Sequence, residues 1–286
     1  MTAPPTPQPT APGDRPPSRL DGGLVVEVRN HVGYATLDRP ERLNAISGAL
    51  AANIVDAFDD FSTDPAVWAV LLRANGERAF SAGADLKEAG ARDAQAAPAA
   101  GSPPRRHPQP MFGPRRNFFE VILECAKPTV AALFGYALGG GCELALACDI
   151  RIAAEDLQIG MPEAKRGMGA NFGSAVLPRI VPQGIAFELL YTGEPIDAHT
   201  AQHWGLVNRV VARDALDTEA EAMVRAIVAN APLTTQRYKA MVGKGRDLPL
   251  AAALRLNVGP NPYTSEDRKE GVAAFLERRR PNWQAR

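Results

Sequence analysis

Two glutamates in this chain occupy positions where a carboxyl group could exchange protons. Glu143 interrupts the apolar segment CELALAC, which is predicted to be a helix, and Glu163 follows an apolar strand and a proline. A carboxyl group buried without a partner is destabilised in its charged form, so its pKa rises into the range suited to acid–base catalysis. Two such groups at one site predict a reaction in which one activates water and the other delivers a proton. Considered alone, Glu163 is more simply explained as an acid in the first turn of a helix.

The glycine triplet 139–141 immediately precedes the segment that carries Glu143. Glycine lets the backbone approach a ligand closely, and the amides at the start of a helix favour negative charge. The triplet therefore predicts a donor site for an oxyanion, although tight packing of a helix against a strand explains it equally well. It matches neither GxGxxG nor GxxxxGK[ST], so no site for nucleotide phosphates is predicted.

The elements that must position these residues alternate between short strands and helices. Segments 24–29 and 32–38 are predicted strands on either side of a tight turn, and a helix capped by Ser47 follows them. Further apolar strands are predicted just before the glycine triplet and just before Glu163. Such alternation predicts an α/β fold in which helices cover a sheet.

Composition divides the chain into further segments. Residues 1–22 are rich in proline, threonine and alanine with almost nothing to bury, which predicts a disordered tail. The catalytic core is predicted to span 23–213, with a proline-rich variable lid or insertion at 91–114. Residues 214–286 are predicted to form a C-terminal helical region.

The 286 residues are 45% hydrophobic and 22% charged, as expected of a globular protein with a sizeable core. The chain has 32 basic and 32 acidic residues, so no net field attracts nucleic acid or an anionic membrane. The longest apolar run, 130–148, contains a glutamate and a glycine triplet and is a poor membrane span, and no secretory signal is visible. Three cysteines without a CxxC pair predict a cytoplasmic protein. His199 and His203 have no evident third ligand, so no metal site is predicted.

Three motifs follow one another along the chain: FSAGADLKEA at 80–89, GYALGGGCELALACDI at 135–150 and IGMPEAKRG at 159–167. Three other segments accompany them: LDRPERLNAIS at 37–47, YTGEPIDAHTAQHWGLVNRVV at 191–211 and the C-terminal SEDRKEGVAAFLERRRP. Together they resemble the crotonase (enoyl-CoA hydratase/isomerase) superfamily over residues 24–282, apart from the 91–114 insertion. The resemblance implies a spiral of ββα units with a C-terminal helical trimerisation region, assembled as a homotrimer or as a hexamer made of two trimers.

The resemblance also implies an activity, that of an enoyl-CoA hydratase. Such a lyase of fatty acid metabolism adds water across the 2,3 double bond of an enoyl-CoA thioester, and it needs no cofactor because CoA is part of the substrate. Glu143 and Glu163 match the two catalytic glutamates, and the amides of Ala84 and Gly140 match the oxyanion hole that polarises the thioester carbonyl. The implied CoA-binding residues are Glu41, Arg42, Leu43, Ala82, Asp85, Leu86 and Lys87, with Lys87 near the CoA phosphates.

One segment departs from the family pattern. Where hydratases show a turn of the form GxxPxxGG, this chain has GMGANFGS at 167–174, which lacks the proline and one glycine. The turn normally offers an amide to the attacking water, and the resemblance assigns that role to Ala170 or Asn171. The alternative activities are isomerisation of the double bond and another crotonase-type lyase or dehydratase reaction. Members that only isomerise commonly lack the first glutamate, so Glu143 favours hydration, and the zero net charge argues against an RNA-binding member.

Overall fold

The computed structural model describes residues 13–95 and 116–286. The strands are β1 (Arg15–Leu20), β2 (Leu24–Arg29), β3 (Val32–Leu37), β4 (Ala69–Ala74), β5 (Ala79–Ser81), β6 (Thr129–Leu133), β7 (Tyr136–Leu138), β8 (Ile150–Ala154), β9 (Gln158–Gly160), β10 (Ile196–Asp197) and β11 (Arg209–Val211). The helices are α1 (Gly48–Thr63), α2 (Leu86–Gln95), α3 (Phe118–Glu124), α4 (Gly140–Ala147), α5 (Asn171–Val176), α6 (Gln183–Thr192), α7 (Ala198–His203), α8 (Leu216–Val228), α9 (Pro232–Gly245), α10 (Leu250–Ala253) and α11 (Glu266–Glu277). None of these helices is both long and apolar enough to cross a bilayer.

The described strands form two sheets. The larger sheet has the order β1-β2-β3-β4-β6-β8-β11 and is antiparallel from β1 to β3 and parallel from β3 onward. The smaller sheet has the order β10-β9-β7-β5, in which only β10 runs antiparallel to its neighbour. In the pairs β4/β5, β6/β7 and β8/β9, the first strand joins the larger sheet and the second joins the smaller one before a helix follows. This repeated ββα unit confirms the predicted α/β architecture.

The first helix covers one face of the larger sheet. Its start was predicted correctly, since the Ser47 hydroxyl accepts a hydrogen bond from the Leu50 amide at 3.2 Å. Leu50, Ile54, Phe58 and Phe61 recur at helical spacing, and all four are fully buried in the main core. Burying each such side chain contributes about 1.5–3 kcal/mol relative to exposure, so this face decides where the helix lies.

Helix α8 covers the opposite face of the larger sheet. Leu216, Ala220 and Val224 are buried in a second core cluster that includes residues of β3, β4, β6 and β8. From the same helix, Glu221 accepts a hydrogen bond of 3.1 Å from the hydroxyl of Tyr34. This helix lies in the predicted C-terminal helical region 214–286, and it packs directly against the larger sheet.

Part of the amino-terminal segment is ordered, contrary to the prediction. We predicted that residues 1–22 are a disordered tail, whereas Arg15–Leu20 forms strand β1 and pairs antiparallel with β2. Almost all side chains of β1 are exposed, so the strand is held by backbone hydrogen bonds and by an ion pair between Arg15 and Asp64. Amino-acid composition indicates how much apolar surface a segment can bury, but it does not indicate whether the backbone of the segment pairs with the edge of a sheet. Residues 1–12 lie outside the described part of the chain.

The predicted insertion at 91–114 falls largely outside the described residues. Helix α2 extends through Gln95, so the first residues of this segment are helical. The described chain resumes at Arg116, and α3 begins with a capping box in which the side chains of Asn117 and Glu120 each accept a hydrogen bond from the other's backbone amide. In the described chain, the flanks of the segment are therefore helices.

We expect deletion of residues 1–22 to lower the melting temperature by several degrees, because it leaves the hydrogen-bonding edge of β2 unpaired. The matched control is deletion of residues 1–12, which leaves β1 intact and should melt like the full chain. Thermal unfolding followed by circular dichroism would measure both. Equal melting temperatures for the full chain and both deletions would show that β1 contributes nothing to stability.

Candidate active site

Helix α4 buries the first of the two glutamates. Every residue of α4 after Gly140 is buried, including Glu143 in its first turn, which is only 7% exposed. The carboxylate is not left unpaired, because its Oε1 accepts a hydrogen bond of 2.8 Å from the amide of Gly173. An acid on a helix with no solvated face is thus held at a defined position by one backbone donor.

The second glutamate stands directly against the glycine turn that begins α4. The turn is tied to strand β9 by a hydrogen bond of 2.9 Å from the Gly139 amide to the Gly160 carbonyl. Glu163 follows that strand on the short 3-10 helix Pro162–Arg166. A methyl group built on Gly139 would lie 2.8 Å from Glu163 Oε1, and Gly139 has a positive φ of 54°. Only glycine fits at this position without displacing the carboxylate.

The pKa of each carboxyl group is raised, which favours proton exchange near neutral pH. Burial and, to a smaller extent, the negative charge of Glu163 raise the pKa of Glu143 to about 7, although the Gly173 amide stabilises the charged form. Burial also raises the pKa of Glu163. Its Oε2 is buried and, among the described residues, has no hydrogen-bond partner. Because the two groups influence one another, they titrate as a coupled pair.

Two backbone amides converge beside these carboxylates. Strand β5 ends at Ser81, and the chain then bends back at Gly83, whose φ is +86°. A methyl group on Gly83 would lie 3.1 Å from the Gly140 nitrogen, and one on Gly140 would lie 3.7 Å from the Ala84 nitrogen. Neither the Ala84 amide nor the Gly140 amide donates to an acceptor among residues 13–95 and 116–286. Both donors are therefore free to bind an external acceptor.

The remaining predicted residues lie on two neighbouring segments. Glu41 and Arg42 belong to the exposed 3-10 helix Pro40–Arg42, and the carbonyl of Leu43 accepts a hydrogen bond of 2.9 Å from the Ala82 amide. This bond joins the 41–43 segment to the segment that continues through Asp85 into α2. Leu86 and Lys87, at the start of α2, are exposed. The structure thus brings the predicted CoA-binding residues to the side of the two amides.

The sequence comparison decides the family. The profile of the Enoyl-CoA hydratase/isomerase family matches residues 27–286. The chain belongs to this family.

Curated relatives and solved structures agree with this assignment. The chain is 36% identical over 270 residues to (E)-benzylidenesuccinyl-CoA hydratase of Thauera aromatica. This alignment covers 90% of this chain and 97% of the relative. It is 33% identical over 266 residues to crotonyl-CoA hydratase of Syntrophomonas wolfei, covering 91% of this chain and 97% of that protein. The crystal structure of an enoyl-CoA hydratase from Mycobacterium tuberculosis superposes with a TM-score of 0.80 at 34% identity, covering 93% of this chain and all of the other. The predicted crotonase-type fold and the predicted enoyl-CoA hydratase-type function are confirmed.

In this member of the enoyl-CoA hydratase/isomerase family, the departing turn supplies an amide that the sequence did not locate. This amide is distinct from the water-binding amide that the resemblance implies at Ala170 or Asn171: it belongs to Gly173 and donates to the carboxylate of Glu143. Helix α5 begins at Asn171, so Gly173 is its third residue, and its N–H has no partner within the helix. A methyl group on Gly173 would lie 2.6 Å from the Met161 methyl carbon, so a larger residue here would require the Met161 side chain to shift. The last glycine of GMGANFGS, Gly173, is the sequence feature that could have indicated this position.

Other candidate groups do not converge on the site. His199 and His203 both lie on α7 and are exposed, and no cluster of three potential metal ligands occurs in the part of the chain that the structure describes. Cys142 is fully buried beside Glu143, and burial raises the pKa of its thiol well above the ordinary value. A thiol in this state packs like a small apolar side chain and is a poor nucleophile.

The raised pKa of Glu143 predicts a stability change with a definite sign. The folded state holds the Glu143 proton up to pH about 7, whereas the ordinary pKa is 4.5, so stability present below pH 4.5 is lost as pH rises through 7. We expect Glu143→Gln, which cannot ionise, to be more stable than the wild type at pH 8 by on the order of 3 kcal/mol, and equally stable near pH 4.5.

Urea unfolding of both proteins at the two pH values would measure this difference. Glu188→Gln provides the control, since Glu188 is an exposed residue of α6 and its replacement should produce no comparable gain at pH 8. A Glu143→Gln variant less stable than the wild type at pH 8 would mean that burial does not raise this pKa.

Proposed function

We propose that the protein is an enoyl-CoA hydratase that adds water across the 2,3 double bond of an enoyl-CoA thioester by means of Glu143 and Glu163. The observation that carries this proposal is the convergence of both carboxylates on the glycine turn 139–141. One carboxylate is held by an amide and the other has an oxygen that no described protein group binds. Hydration needs one group to accept a proton and another to donate one, and this pair supplies both.

The amides of Ala84 and Gly140 act on the thioester carbonyl. When water adds at C3, the electrons of the double bond move toward the carbonyl oxygen and produce an enolate. Two N–H donors aimed at that oxygen stabilise the developing charge without reorganisation. Their proximity in the structure and their lack of described protein acceptors support this role.

The two glutamates divide the proton transfers. Glu143, with a pKa of about 7, accepts a proton from water as its oxygen bonds to C3. Glu163 then delivers a proton to C2 as the enolate collapses to the thioester. One proton is gained by Glu143 and one is lost by Glu163, so the product forms with no net change in charge. No cofactor takes part in these steps, and the CoA portion is held along residues 41–43 and 82–87.

Isomerisation of the double bond is the second candidate activity. It moves a proton from one carbon to another and can proceed on Glu163 alone. The presence of a buried Glu143, fixed by the Gly173 amide, favours hydration, because an isomerase has no water to activate.

We expect Glu143→Gln and Glu163→Gln each to lower kcat for hydration by ~10²–10⁴-fold with a modest change in KM, because each removes a proton transfer and keeps the side-chain shape. Short, long, branched and aromatic enoyl-CoAs should be compared by following the absorbance of the conjugated thioester. Glu188→Gln, a substitution at an exposed site, is the matched control and should keep wild-type kinetics.

Near-normal hydration of every active substrate by Glu143→Gln would contradict the hydratase mechanism. Retention of double-bond isomerisation by the same variant would then assign the activity to Glu163 alone.

The proposal includes a homotrimer or a hexamer of two trimers in the cytoplasm. Support for assembly comes from apolar side chains of the C-terminal helices that a single chain leaves exposed: Tyr238, Val242, Val272, Phe275 and Leu276. Exposed apolar surface of this extent marks an interaction site. The three cysteines are buried and unpaired, which suits a reducing compartment.

Light scattering at micromolar concentration should therefore report three or six times the chain mass of 30.5 kDa. Phe275 is 83% exposed in the single chain, so Phe275→Asp should shift the distribution toward smaller species by placing a charge within the interface. A wild-type protein with the mass of one chain would contradict the assembly.

A further inference from the structure

The carboxylate of Asp85 is engaged inside the protein rather than directed at a ligand. Sequence resemblance placed Asp85 among the CoA-binding residues, yet its Oδ2 lies 3.3 Å from Arg39 Nη2 and its Oδ1 accepts a hydrogen bond of 3.3 Å from the Glu88 amide. The side chains of the ion pair are only 19% and 12% exposed. Burial tends to raise the pKa of Asp85, but the Glu88 amide and Arg39 lower it overall, so Asp85 is charged at neutral pH.

Arg39 connects this aspartate to the neighbouring segment. Its Nη1 donates to the Ala45 carbonyl at 2.6 Å, and its backbone amide donates to the Asn44 side chain at 2.8 Å. Asn44 is itself buried and is bound through its amide nitrogen to the carbonyl of Ala79, at the start of β5. One guanidinium therefore bridges the Ala45 carbonyl and the carboxylate of Asp85.

Between these two anchors lies the peptide that presents the Ala84 amide. The Gly83 carbonyl accepts a hydrogen bond of 2.8 Å from the Ile46 amide, and the Asp85 amide donates to the Ile46 carbonyl at 3.0 Å. In a trans peptide the C=O and the following N–H point in opposite directions. The bond from Ile46 to Gly83 therefore aims the Ala84 N–H away from Ile46, and Arg39 holds both sides of this bridge in register.

We propose that the Arg39–Asp85 ion pair is a positioning device for the oxyanion hole, which fixes the direction of the Ala84 amide by clamping residues 83–85 to residues 44–46. Neither side chain touches the substrate in this role. The inference rests on the proposed function, because it assumes that the Ala84 amide binds the thioester oxygen. Its energetic basis is that an oxyanion donor acts fully only when it is held in place before the charge develops.

The residue types fit this role. The planar guanidinium of Arg39 reaches a carbonyl and a carboxylate at the same time through different nitrogens, which the single ammonium of a lysine cannot reproduce. The carboxylate of Asp85 likewise serves a cation and the first turn of α2 through different oxygens. Each side chain thus makes two contacts, so a conservative change at either residue weakens the link between residues 83–85 and residues 44–46.

We expect Asp85→Asn and Arg39→Lys to lower kcat by about tenfold or more, since complete loss of one oxyanion donor costs ~10²–10³-fold. KM should change by less than about threefold, because the Asp85 and Arg39 side chains bind each other and neighbouring backbone rather than the CoA portion. The two changes should be far from additive in the double variant. A conjugated aryl-enoyl-CoA whose absorbance moves to longer wavelength when its carbonyl is polarised should show a smaller shift when bound to either variant.

Arg19→Gln is the matched control. It breaks the Arg19–Asp38 ion pair, which lies at the edge strand β1 and has no contact with residues 83–85, so kcat and the spectral shift should be those of the wild type. Thermal unfolding curves should show that every variant is folded at the assay temperature, so that the comparison is made on folded protein.

A truncated thioester of N-acetylcysteamine, which lacks the nucleotide and its phosphates, separates positioning from CoA binding. A positioning role requires the kcat loss to persist with this substrate, and disappearance of the loss would overturn the inference in favour of a CoA contact. Wild-type kcat and wild-type spectral shift in Asp85→Asn would also overturn it. If the wild type shifts the spectrum of the aryl-enoyl-CoA but hydrates no substrate, the proposed function is wrong. In that case the spectral shifts of the variants still test the inference. Absence of any wild-type shift overturns the inference directly.

Discussion

The whole site depends on how closely the start of helix α4 approaches its neighbours. A methyl group on Gly141 would lie 2.3 Å from the Ser81 carbonyl oxygen, so the helix touches the end of β5 backbone to backbone. The same turn meets Glu163 through Gly139 and the Ala84 segment through Gly140. A side chain at Gly139 would displace the carboxylate of Glu163, and one at Gly141 would push the helix away from the end of β5.

The ββα repeat explains why these elements meet. Consecutive units place β5, β7 and β9 side by side in the smaller sheet, so the turns that follow these strands emerge at one edge. The turn after β5 carries Ala84, the turn after β7 begins α4, and the 3-10 helix after β9 carries Glu163. Groups that are far apart in sequence thus become neighbours through strand order alone, and α4, buried on nearly every side, provides the low dielectric that shifts the carboxyl groups.

The sequence predicted those parts of the fold that depend on local residue types. The cap at Ser47, the apolar face of α1, the strand before Glu163 and the placement of Glu143 in a buried helix all follow from short patterns. Strand β1 was missed because its stability comes from backbone pairing, which leaves little trace in side-chain composition. The Gly173 amide was missed because its role depends on where α5 begins relative to a carboxylate thirty positions earlier. Similarly, only the folded chain places Arg39 beside Asp85.

The connection between α2 and α3 has a consequence for how the chain can diverge. Helix α2 completes one ββα unit, and α3 precedes β6, which begins the next unit. The number of residues between the two helices therefore sets no strand register. Insertions and sequence drift can accumulate between these units over evolutionary time while every strand keeps its partner, so this junction is where related chains can differ most at the least cost to the fold.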